Sequence, residues 1–211
     1  MIGTQRERVL SEAGVSRETA ARLDLYVEQL RRWQPIKNLV GPGTLAEVWT
    51  RHVADALQLL SLAPEAKTWV DLGSGAGIPG LILAIAGCAR DDFHVKLVES
   101  NARKCAFLLE TARLTGAPIE VRNARIENVI GDMIGADVVC ARALAPLTQL
   151  LAWSQPLLEN GTVGLFPKGR DASAELTAAR DAWKFDCDTV PSRTDSEARI
   201  LRVTALSRLD S

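Results

Sequence analysis

The first sixty residues carry apolar side chains at helical spacing and contain no glycine-rich strand signals. One set recurs every three or four positions and predicts an amphipathic helix that Ser16 can cap at its N-terminus. Its apolar stripe consists of Leu23, Tyr26, Val27, Leu30 and Trp33. Pro35 and the run Gly41-Pro42-Gly43 predict that this helix stops and that the chain then turns.

A second amphipathic helix is predicted to follow this turn. Thr44 and Glu47 have the spacing of a capping box, and Pro64 marks the end of the pattern. The apolar stripe is formed by Leu45, Val48, Trp49, His52, Ala56 and Leu59. Residues 1–64 are therefore predicted to form an N-terminal helical extension.

From residue 68 onward, short apolar runs alternate with helical patterns. Seven runs predict strands, at 68–72, 94–98, 119–122, 137–140, 162–166, 185–190 and 199–206. Helices are predicted at 79–86, 101–115, 146–158 and 172–183. Such alternation is typical of a mostly parallel sheet covered by helices on both faces. Residues 65–211 are therefore predicted to form one Rossmann-like α/β domain with seven strands, the last two pairing as an antiparallel hairpin.

Composition narrows the class of protein. A chain of 211 residues with 47% hydrophobic residues is long enough to bury a sizeable core. The formal net charge of −1 argues against a protein that coats nucleic acid through its overall charge, so an RNA substrate would require a local basic patch. The four cysteines are far apart and there are two histidines, so neither a metal site nor a disulfide framework is expected. With no hydrophobic signal region near Met1 and no apolar run long enough to span a bilayer, the expected location is the cytoplasm.

The glycine-rich run after the first strand carries the strongest chemical signal. Asp71 ends that strand, and Gly73, Gly75 and Gly77 follow before an apolar helix. Glycines in such a turn let backbone N–H groups approach a bound ligand, because no side chain stands in the way. The Asp-x-Gly-x-Gly-x-Gly form resembles motif I of the class I S-adenosylmethionine (AdoMet) methyltransferases, in which the carboxylate faces the cationic end of the cofactor. Gly75-x-Gly77-x-x-Gly80 also satisfies the dinucleotide fingerprint, but a carboxylate would repel a pyrophosphate, so AdoMet is favoured over NAD.

Two further segments are candidates for binding this cofactor. Glu99 ends the second strand, 24 residues after Gly75, which suits a carboxylate that accepts hydrogen bonds from ribose hydroxyls. Taken alone, an acid at this position would more simply be an exposed strand end. Ile126 and Glu127 follow the third strand, where their backbone groups could read an adenine edge. The same residues could equally open a solvated helix, and their spacing does not decide between the two.

The segment after the fourth strand should face the methyl acceptor. It lacks the Asn/Asp-Pro-Pro-aromatic signature of enzymes that methylate exocyclic amines, and Cys140 follows two valines as a small core residue rather than a nucleophile. Guanine N7 needs neither device, because it is already a hydrogen-bond acceptor with an available lone pair. The sequence therefore fits direct in-line transfer to such a ring nitrogen, achieved by alignment and without a covalent intermediate.

Basic residues at the same edge of the predicted sheet are candidates for holding RNA. Arg142 and Lys168 follow the fourth and fifth strands, and we predict that both act in catalysis, by holding phosphate or by steering the acceptor base. The candidates for RNA binding are Arg51, Arg103, Lys104, Lys168 and Arg170. For most such residues an ordinary solvated charge is the simpler interpretation.

The group Arg51-His52-x-x-Asp55 lies on the second N-terminal helix. A single histidine on an apolar face more often docks a helix than acts as a catalyst. We therefore predict that this group fixes the N-terminal helices against the α/β domain, close to the cofactor. Trp33 and Trp49 are likewise expected in the core rather than as platforms for stacked bases.

Several blocks of the chain follow the order of one known family. They are Trp33, Asn38-Leu39, Arg51-His52-Val53-x-Asp55, the run from Asp71 to Gly80, Glu99-Ser100 with Arg103-Lys104, Arg142-Ala143, and Phe166-x-Lys168-Gly169. Together they resemble the bacterial 16S ribosomal RNA guanine-N7 methyltransferase G family, also called glucose-inhibited division protein B. The resemblance runs from about residue 17 to residue 170. One departure is Ala56, where members of the family often carry serine.

The resemblance implies transfer of a methyl group from AdoMet to N7 of one guanine in 16S ribosomal RNA, within the small ribosomal subunit or its precursor. It further implies that Glu99 holds the ribose and that the cofactor is contacted by Gly73, Ile78, Ile126, Glu127 and Arg142. A monomer without a resident metal ion or membrane contact is expected. Three alternatives stay open at this point, namely a small-molecule AdoMet methyltransferase, a non-catalytic AdoMet-binding assembly factor and a dehydrogenase.

Overall fold

The computed structural model describes residues 4–37, 39–41 and 43–209, and its centre is one seven-stranded sheet. The strands are β1 Thr68–Leu72, β2 His94–Val98, β3 Ile119–Arg122, β4 Val138–Cys140, β5 Val163–Lys168, β6 Trp183–Pro191 and β7 Arg199–Arg208. Their order across the sheet is β3-β2-β1-β4-β5-β7-β6. β1 to β5 run parallel, and β7 pairs antiparallel with both β5 and β6. The predicted fold, a mostly parallel sheet with a terminal hairpin, is confirmed.

Helices cover both faces of this sheet. They are α1 Gln5–Ala13, α2 Arg17–Lys37, α3 Ala54–Leu62, α4 Gly80–Gly87, α5 Ala102–Thr115, α6 Leu147–Leu158 and α7 Ala172–Arg180. Successive residues of β1 point to opposite faces, as in any strand. Trp69 contributes to the core under α1 to α5, whereas Val70 and Leu72 contribute to the core under α6 and α7. A parallel sheet buried in this way requires nearly continuous apolar strands, which explains the composition of β1 and β4.

The N-terminal helices pack directly on the α/β domain. Tyr26 of α2 is fully buried, and its hydroxyl donates a hydrogen bond to the Ala76 carbonyl at 3.0 Å. Trp33 meets the ring of Phe107 edge-on, with 5.8 Å between centroids, and Trp49 is buried. Both tryptophans thus belong to the shared core, as predicted. The division of the chain at residue 64 stays a prediction.

The start of α2 follows the sequence prediction, but its end does not. The Ser16 hydroxyl accepts a hydrogen bond from the Thr19 N–H at 3.1 Å, as an N-cap does. Pro35 does not break the helix, because it lies in the last turn, where its missing N–H removes one hydrogen bond near the end. Asn38 and Pro42, which belonged to the predicted break and to the family blocks, lie outside the described residues.

The second predicted helix is divided into three pieces. The Thr44 hydroxyl donates to the Gly41 carbonyl instead of capping a helix, and Thr44–Glu47 form a 3-10 turn. Trp49–Val53 form a π-helix, and α3 follows it. The predicted capping box is therefore wrong. The helix predicted at 172–183 also ends early, because Trp183 begins β6 and is buried there.

Candidate functional site

The chemically informative residues lie at one edge of the sheet, beyond the carboxyl ends of its parallel strands. The register pairs Asp71 of β1 with residues of both β2 and β4, so these three strands end side by side. The glycine loop follows β1, Glu99 follows β2, and the segment with Arg142 follows β4. The strand order reverses between β1 and β4, and open α/β sheets bind ligands in the crevice at such a point.

Three glycines of the loop after β1 have positive φ angles, and each faces a different neighbour. A Cβ at Gly73 would lie 2.5 Å from Leu144, and one at Gly77 would lie 2.5 Å from Leu81. Gly75, with φ +55°, faces open space, where the nearest atom to such a Cβ is 3.7 Å away. A side chain at Gly77 would collide with the Cβ of Leu81, and one at Gly73 would force the end of the Leu144 side chain to move, whereas the space over Gly75 can admit a ligand.

Glu99 lies directly against this loop. One of its carboxylate oxygens accepts a hydrogen bond from the Gly75 N–H at 2.9 Å, and the other accepts from the Asn101 N–H at 2.8 Å. Asn101 in turn caps α5, so the carboxylate is held from two directions. Each oxygen has a further lone pair and can accept a hydrogen bond from a hydroxyl group above Gly75. This position suits the ribose-binding role predicted for Glu99.

Asp71 lies near the end of β1, where the sequence predicts it. Its carboxylate is fully buried beneath the loop, where it accepts a hydrogen bond from the Gly80 N–H at 3.1 Å and lies 3.8 Å from the Cys140 thiol. Burial raises the pKa of Asp71 from 3.8 to about 7. This carboxylate and Leu97 together explain Gly80, because a Cβ there would lie 2.6 Å from the carboxylate and 2.4 Å from Leu97. The carboxylate thus fixes the start of α4, and the predicted role of Asp71 toward the cationic end of a cofactor stays a prediction.

Arg142 connects the α/β domain to the N-terminal helices. Its guanidinium contacts His52 Nδ1 at 2.8 Å and donates to the Arg51 carbonyl at 2.7 Å and to Asp55 at 3.2 Å. Asp55 also accepts a hydrogen bond from Thr194 in the β6–β7 loop. The docking role predicted for this group is confirmed. A direct contact between Arg142 and a cofactor stays a prediction.

His52 is neutral in this arrangement. Its burial, together with the neighbouring Arg142 cation, lowers its pKa to about 4. Nδ1 lies 2.8 Å from the Arg142 guanidinium, which can only donate, and 3.0 Å from the Arg51 carbonyl, which can only accept, so the ring tautomer decides which of these two contacts is a hydrogen bond. Nε2 is buried and has no hydrogen-bond partner within the part of the chain that the structure describes. These contacts assign His52 to docking rather than to proton transfer.

Lys168 is engaged inside the protein rather than presented to solvent. Its ammonium lies 2.7 Å from Glu175 of α7, donates to the Ala145 carbonyl at 2.7 Å, and its side chain is 8% exposed. The other residues predicted to bind RNA are exposed or half-buried at this edge of the sheet, and they are Arg51, Arg103, Lys104 and Arg170. They form the accessible part of the predicted basic patch.

The segment after β3 lies next to Glu99, since the Asn123 side chain donates to the Glu99 carbonyl at 3.0 Å. Ile126 is buried in a 3-10 turn. Glu127 is exposed, and its carboxylate accepts a hydrogen bond from the Trp153 indole at 2.7 Å. Both residues lie beside the region of Glu99, and their contacts with a ligand stay a prediction, as does that of Ile78.

A cavity of about 950 Å³ opens beside Arg142, at the ends of β4 and β5. Its walls come from the N-terminal segment, the loop after β4, the start of α7 and the β6–β7 loop. The residues that line it include Arg51, Asp55, Arg142, Leu144, Lys168, Glu175, Thr194 and Arg199. Sequence reasoning missed Glu175, Thr194 and Arg199, because the C-terminal part of the chain carries no motif that marks them.

Residues 4–37, 39–41 and 43–209 contain neither a membrane-spanning helix nor a cluster of metal ligands. None of the helices there combines the length and the hydropathy needed to cross a membrane. The same residues contain no group of three or more His, Cys, Asp or Glu side chains that could hold a metal ion.

Comparison with known proteins decides the family. The family model described as rRNA small subunit methyltransferase G matches residues 19–200. The chain belongs to this family. It is 77% identical over 205 residues to the ribosomal RNA small subunit methyltransferase G of Methylorubrum populi, covering 97% of each chain. It is 48% identical over 204 residues to that of Rhodopseudomonas palustris, covering 96% of this chain and 88% of that protein. The resemblance inferred from the motifs is confirmed, and the dehydrogenase alternative is excluded.

Solved structures of other proteins share the fold of this chain, although their sequence identity to it is low. The O-methyltransferase TomG from Streptomyces achromogenes, in complex with SAM, gives a TM-score of 0.58 at 13% identity, covering 87% of this chain and 90% of that chain. The O-methyltransferase from Bacillus cereus, in complex with SAH, gives a TM-score of 0.58 at 14% identity, covering 85% and 90%. These likenesses confirm the class I methyltransferase fold.

Proposed function

We propose that this protein transfers a methyl group from AdoMet to N7 of one guanine in the 16S ribosomal RNA of the small subunit. Family membership supports the reaction and the RNA class. The observation that carries the proposal is a pair of adjoining spaces at one sheet edge, the open surface over Gly75 and the cavity beside Arg142. Leu144 lies at the border of the two, because it packs against Gly73 and also lines the cavity.

The residues around the glycine loop fit AdoMet. Gly75 leaves room for a ligand to approach the backbone, and Glu99 offers carboxylate oxygens to ribose hydroxyls beside it. AdoMet, when bound, supplies an electrophilic methyl group attached to a sulfonium. The loop and Glu99 would orient that end of the ligand toward the cavity.

The reaction requires no base or nucleophile from the protein. Cys140 is fully buried, and burial raises the pKa of its thiol, so it cannot act as a nucleophile on RNA. Guanine N7 carries its lone pair without prior deprotonation, so holding it in line with the methyl group is sufficient. The work of the chain is therefore positioning, which suits a site whose charged groups are engaged in internal contacts.

The cavity beside Arg142 is the proposed position of the acceptor guanine. Arg142 would steer the base, and the exposed Arg51, Arg103, Lys104 and Arg170 would contact phosphates around it. Because the net charge is −1, recognition would depend on this local patch and on the folded subunit rather than on overall attraction. We further propose that the protein acts as a monomer in the cytoplasm, where ribosomal subunits are found.

Methyl transfer from tritiated AdoMet tests the proposal. Small subunits from cells that lack this gene are the substrate, and small subunits from wild-type cells, already methylated, are the matched control. We expect label in the first and little in the second. No label in either, with AdoMet binding intact by calorimetry, would overturn the RNA acceptor and favour a small-molecule methyltransferase.

A further inference from the structure

The loop after β4, residues 141–146, separates the surface over Gly75 from the cavity. Ala143 in this loop has φ +52°, a left-handed conformation that strains any residue with a Cβ. On one side of Ala143, Arg142 reaches His52, and on the other side Leu144 packs against Gly73. The strained shape thus fixes the position of two residues at the site, and contacts from outside the loop must maintain it.

Two side chains hold the loop from the cavity side. Lys168, at the end of β5, donates to the Ala145 carbonyl at 2.7 Å. Glu175, from α7, accepts a hydrogen bond at 2.6 Å from the N–H of Leu147, the first residue of α6. That N–H has no partner within its own helix. Lys168 and Glu175 are also 2.7 Å apart, so the two anchors brace each other.

We propose that Lys168 and Glu175 form a clamp that positions the loop after β4, and that Lys168 serves the reaction through this loop rather than by touching RNA. The inference rests on the proposed function and adds Glu175 to it as a positioning residue. Ala145 and Glu175 occupy two of the three ammonium hydrogens of Lys168, and the side chain is 8% exposed, which leaves little of it for a phosphate. Loss of either partner lets the loop relax and shifts Arg142 and Leu144.

A double-mutant cycle with Lys168→Met and Glu175→Ala tests the clamp. The kcat of each variant is compared with that of the active wild-type protein. We expect each variant to lower kcat for small subunits roughly 10- to 100-fold, since small misplacements at a positioning site are costly. The double variant should be no worse than the poorer single one, because the two residues act as a unit. Lys168→Arg, which keeps a cation and donors, should restore most of the activity.

The same variants distinguish the clamp from a direct RNA contact. If Lys168 bound phosphate, Lys168→Met would raise KM and reduce the salt dependence of subunit binding. Glu175→Ala, which frees the ammonium, would then leave kcat unchanged or strengthen binding, and that result would overturn the clamp. Lys67→Met is the control, because it removes a similar but exposed ion pair, in which the Lys67 ammonium lies 3.5 Å from the Asp92 carboxylate. It should behave like wild type.

Ala143→Gly supplies a second test if the clamp variants fold poorly. Glycine adopts positive φ without strain, so the loop should need less external support. Adding Ala143→Gly to Lys168→Met should recover part of the lost kcat, and a folded double variant without recovery would contradict the clamp. The activity of the wild-type protein distinguishes failure of the proposed function from failure of the clamp. An inactive wild type defeats the proposed function, whereas an active one with normal Glu175→Ala defeats the clamp alone.

Discussion

The glycines after β1 are required for different reasons, because each has a different neighbour. A Cβ at Gly73 would enter Leu144, and one at Gly80 would enter the Asp71 carboxylate. Gly75 instead faces open space beside Glu99. A substitution at Gly75 can therefore impair ligand binding without disturbing the packing of the protein. Substitutions at Gly73 or Gly80 would affect both.

Gly75→Asp is expected to abolish AdoMet binding while the protein still folds. The new side chain would fill the ligand's space and place a second anion beside Glu99, and the strain at φ +55° should cost about 1–2 kcal/mol. Calorimetric titration with AdoMet measures the effect. Gly14→Asp, at the end of α1, is the control, because φ there is +62° and a Cβ would meet no described atom within 4 Å. Unchanged AdoMet affinity in Gly75→Asp would sink the cofactor assignment.

Asp71→Asn tests the buried carboxylate through pH. The folded protein keeps the Asp71 proton between about pH 4 and 7, while the unfolded chain releases it, so the free energy of unfolding falls as pH rises through this interval. The loss reaches up to about 4 kcal/mol, and it should vanish in the asparagine variant. His52, with its pKa lowered from 6.5 to about 4, acts in the opposite direction in both proteins.

Urea denaturation at several pH values from 4.5 to 8 measures this difference. The stability of Asp71→Asn relative to wild type should increase steadily as pH rises toward 7, since the shared contribution of His52 cancels. A difference that stays constant with pH would show that Asp71 is ionised throughout in the folded protein.

At the scale of elements, one guanidinium joins the end of β4 to the π-helix at 49–53. Arg142 contacts that π-helix and the first turn of α3 through His52, Arg51 and Asp55. The end of β6 and the β6–β7 loop are tied to α3 as well, because the Gln58 side chain donates to the Pro191 carbonyl at 2.8 Å and accepts from the Arg193 N–H at 3.0 Å. The N-terminal helices therefore form one wall of the cavity together with the terminal hairpin.

Arg142→Met is expected to loosen this junction. His52 Nδ1 and Asp55 lose a donor in a half-buried setting, so the free energy of unfolding should fall by about 1–3 kcal/mol, with faster amide exchange over residues 49–58. Arg202→Met is the matched control, because Arg202 pairs with the largely exposed Asp188 and should change stability by less than about 1 kcal/mol. Equal losses in both variants would refute a special role for Arg142 in docking.

Elements whose signal is local were predictable from the sequence. β1 and β2 match their predicted bounds, because short apolar runs between polar residues define them. The π-helix was not predictable from local pattern, and its residues Arg51 and His52 contact Arg142, 90 residues beyond His52. Glu175 was missed for the same reason, because its partners Lys168 and Leu147 come from other elements. The local sequence pattern thus predicts the strands, most helices and the glycine loop. The walls of the cavity depend on contacts between residues that are far apart in the sequence.

At the scale of the whole molecule, the net charge and the few accessible cations limit how the protein can recognise RNA. The net charge is −1, and Lys168, one of the cations at the site, is used internally. Arg103 and Lys104 lie at the start of α5, directly after Glu99 and beside the cofactor region. A small patch of this kind can orient a folded subunit but gives little nonspecific attraction.

Replacing Arg103 and Lys104 together by glutamine should weaken binding to small subunits without changing AdoMet affinity. The slope of log affinity against log salt should decrease by about 1–2 units, since each lost phosphate contact removes a little under one unit. Binding measured at several salt concentrations gives this slope. Lys184→Gln is the control, because Lys184 is exposed on β6, the outermost strand on the side of the sheet away from β2 and β3. A slope unchanged from wild type would remove these two residues from the RNA surface.

The central claim, methylation of guanine N7 in small-subunit RNA, is tested most directly by the chemical identity of the product. Small subunits from cells lacking this gene are incubated with the protein and labelled AdoMet, and their RNA is digested to nucleosides and separated. The account predicts that the label elutes as 7-methylguanosine and maps to one position in 16S ribosomal RNA. Label in another nucleoside, or in the large subunit, would contradict it.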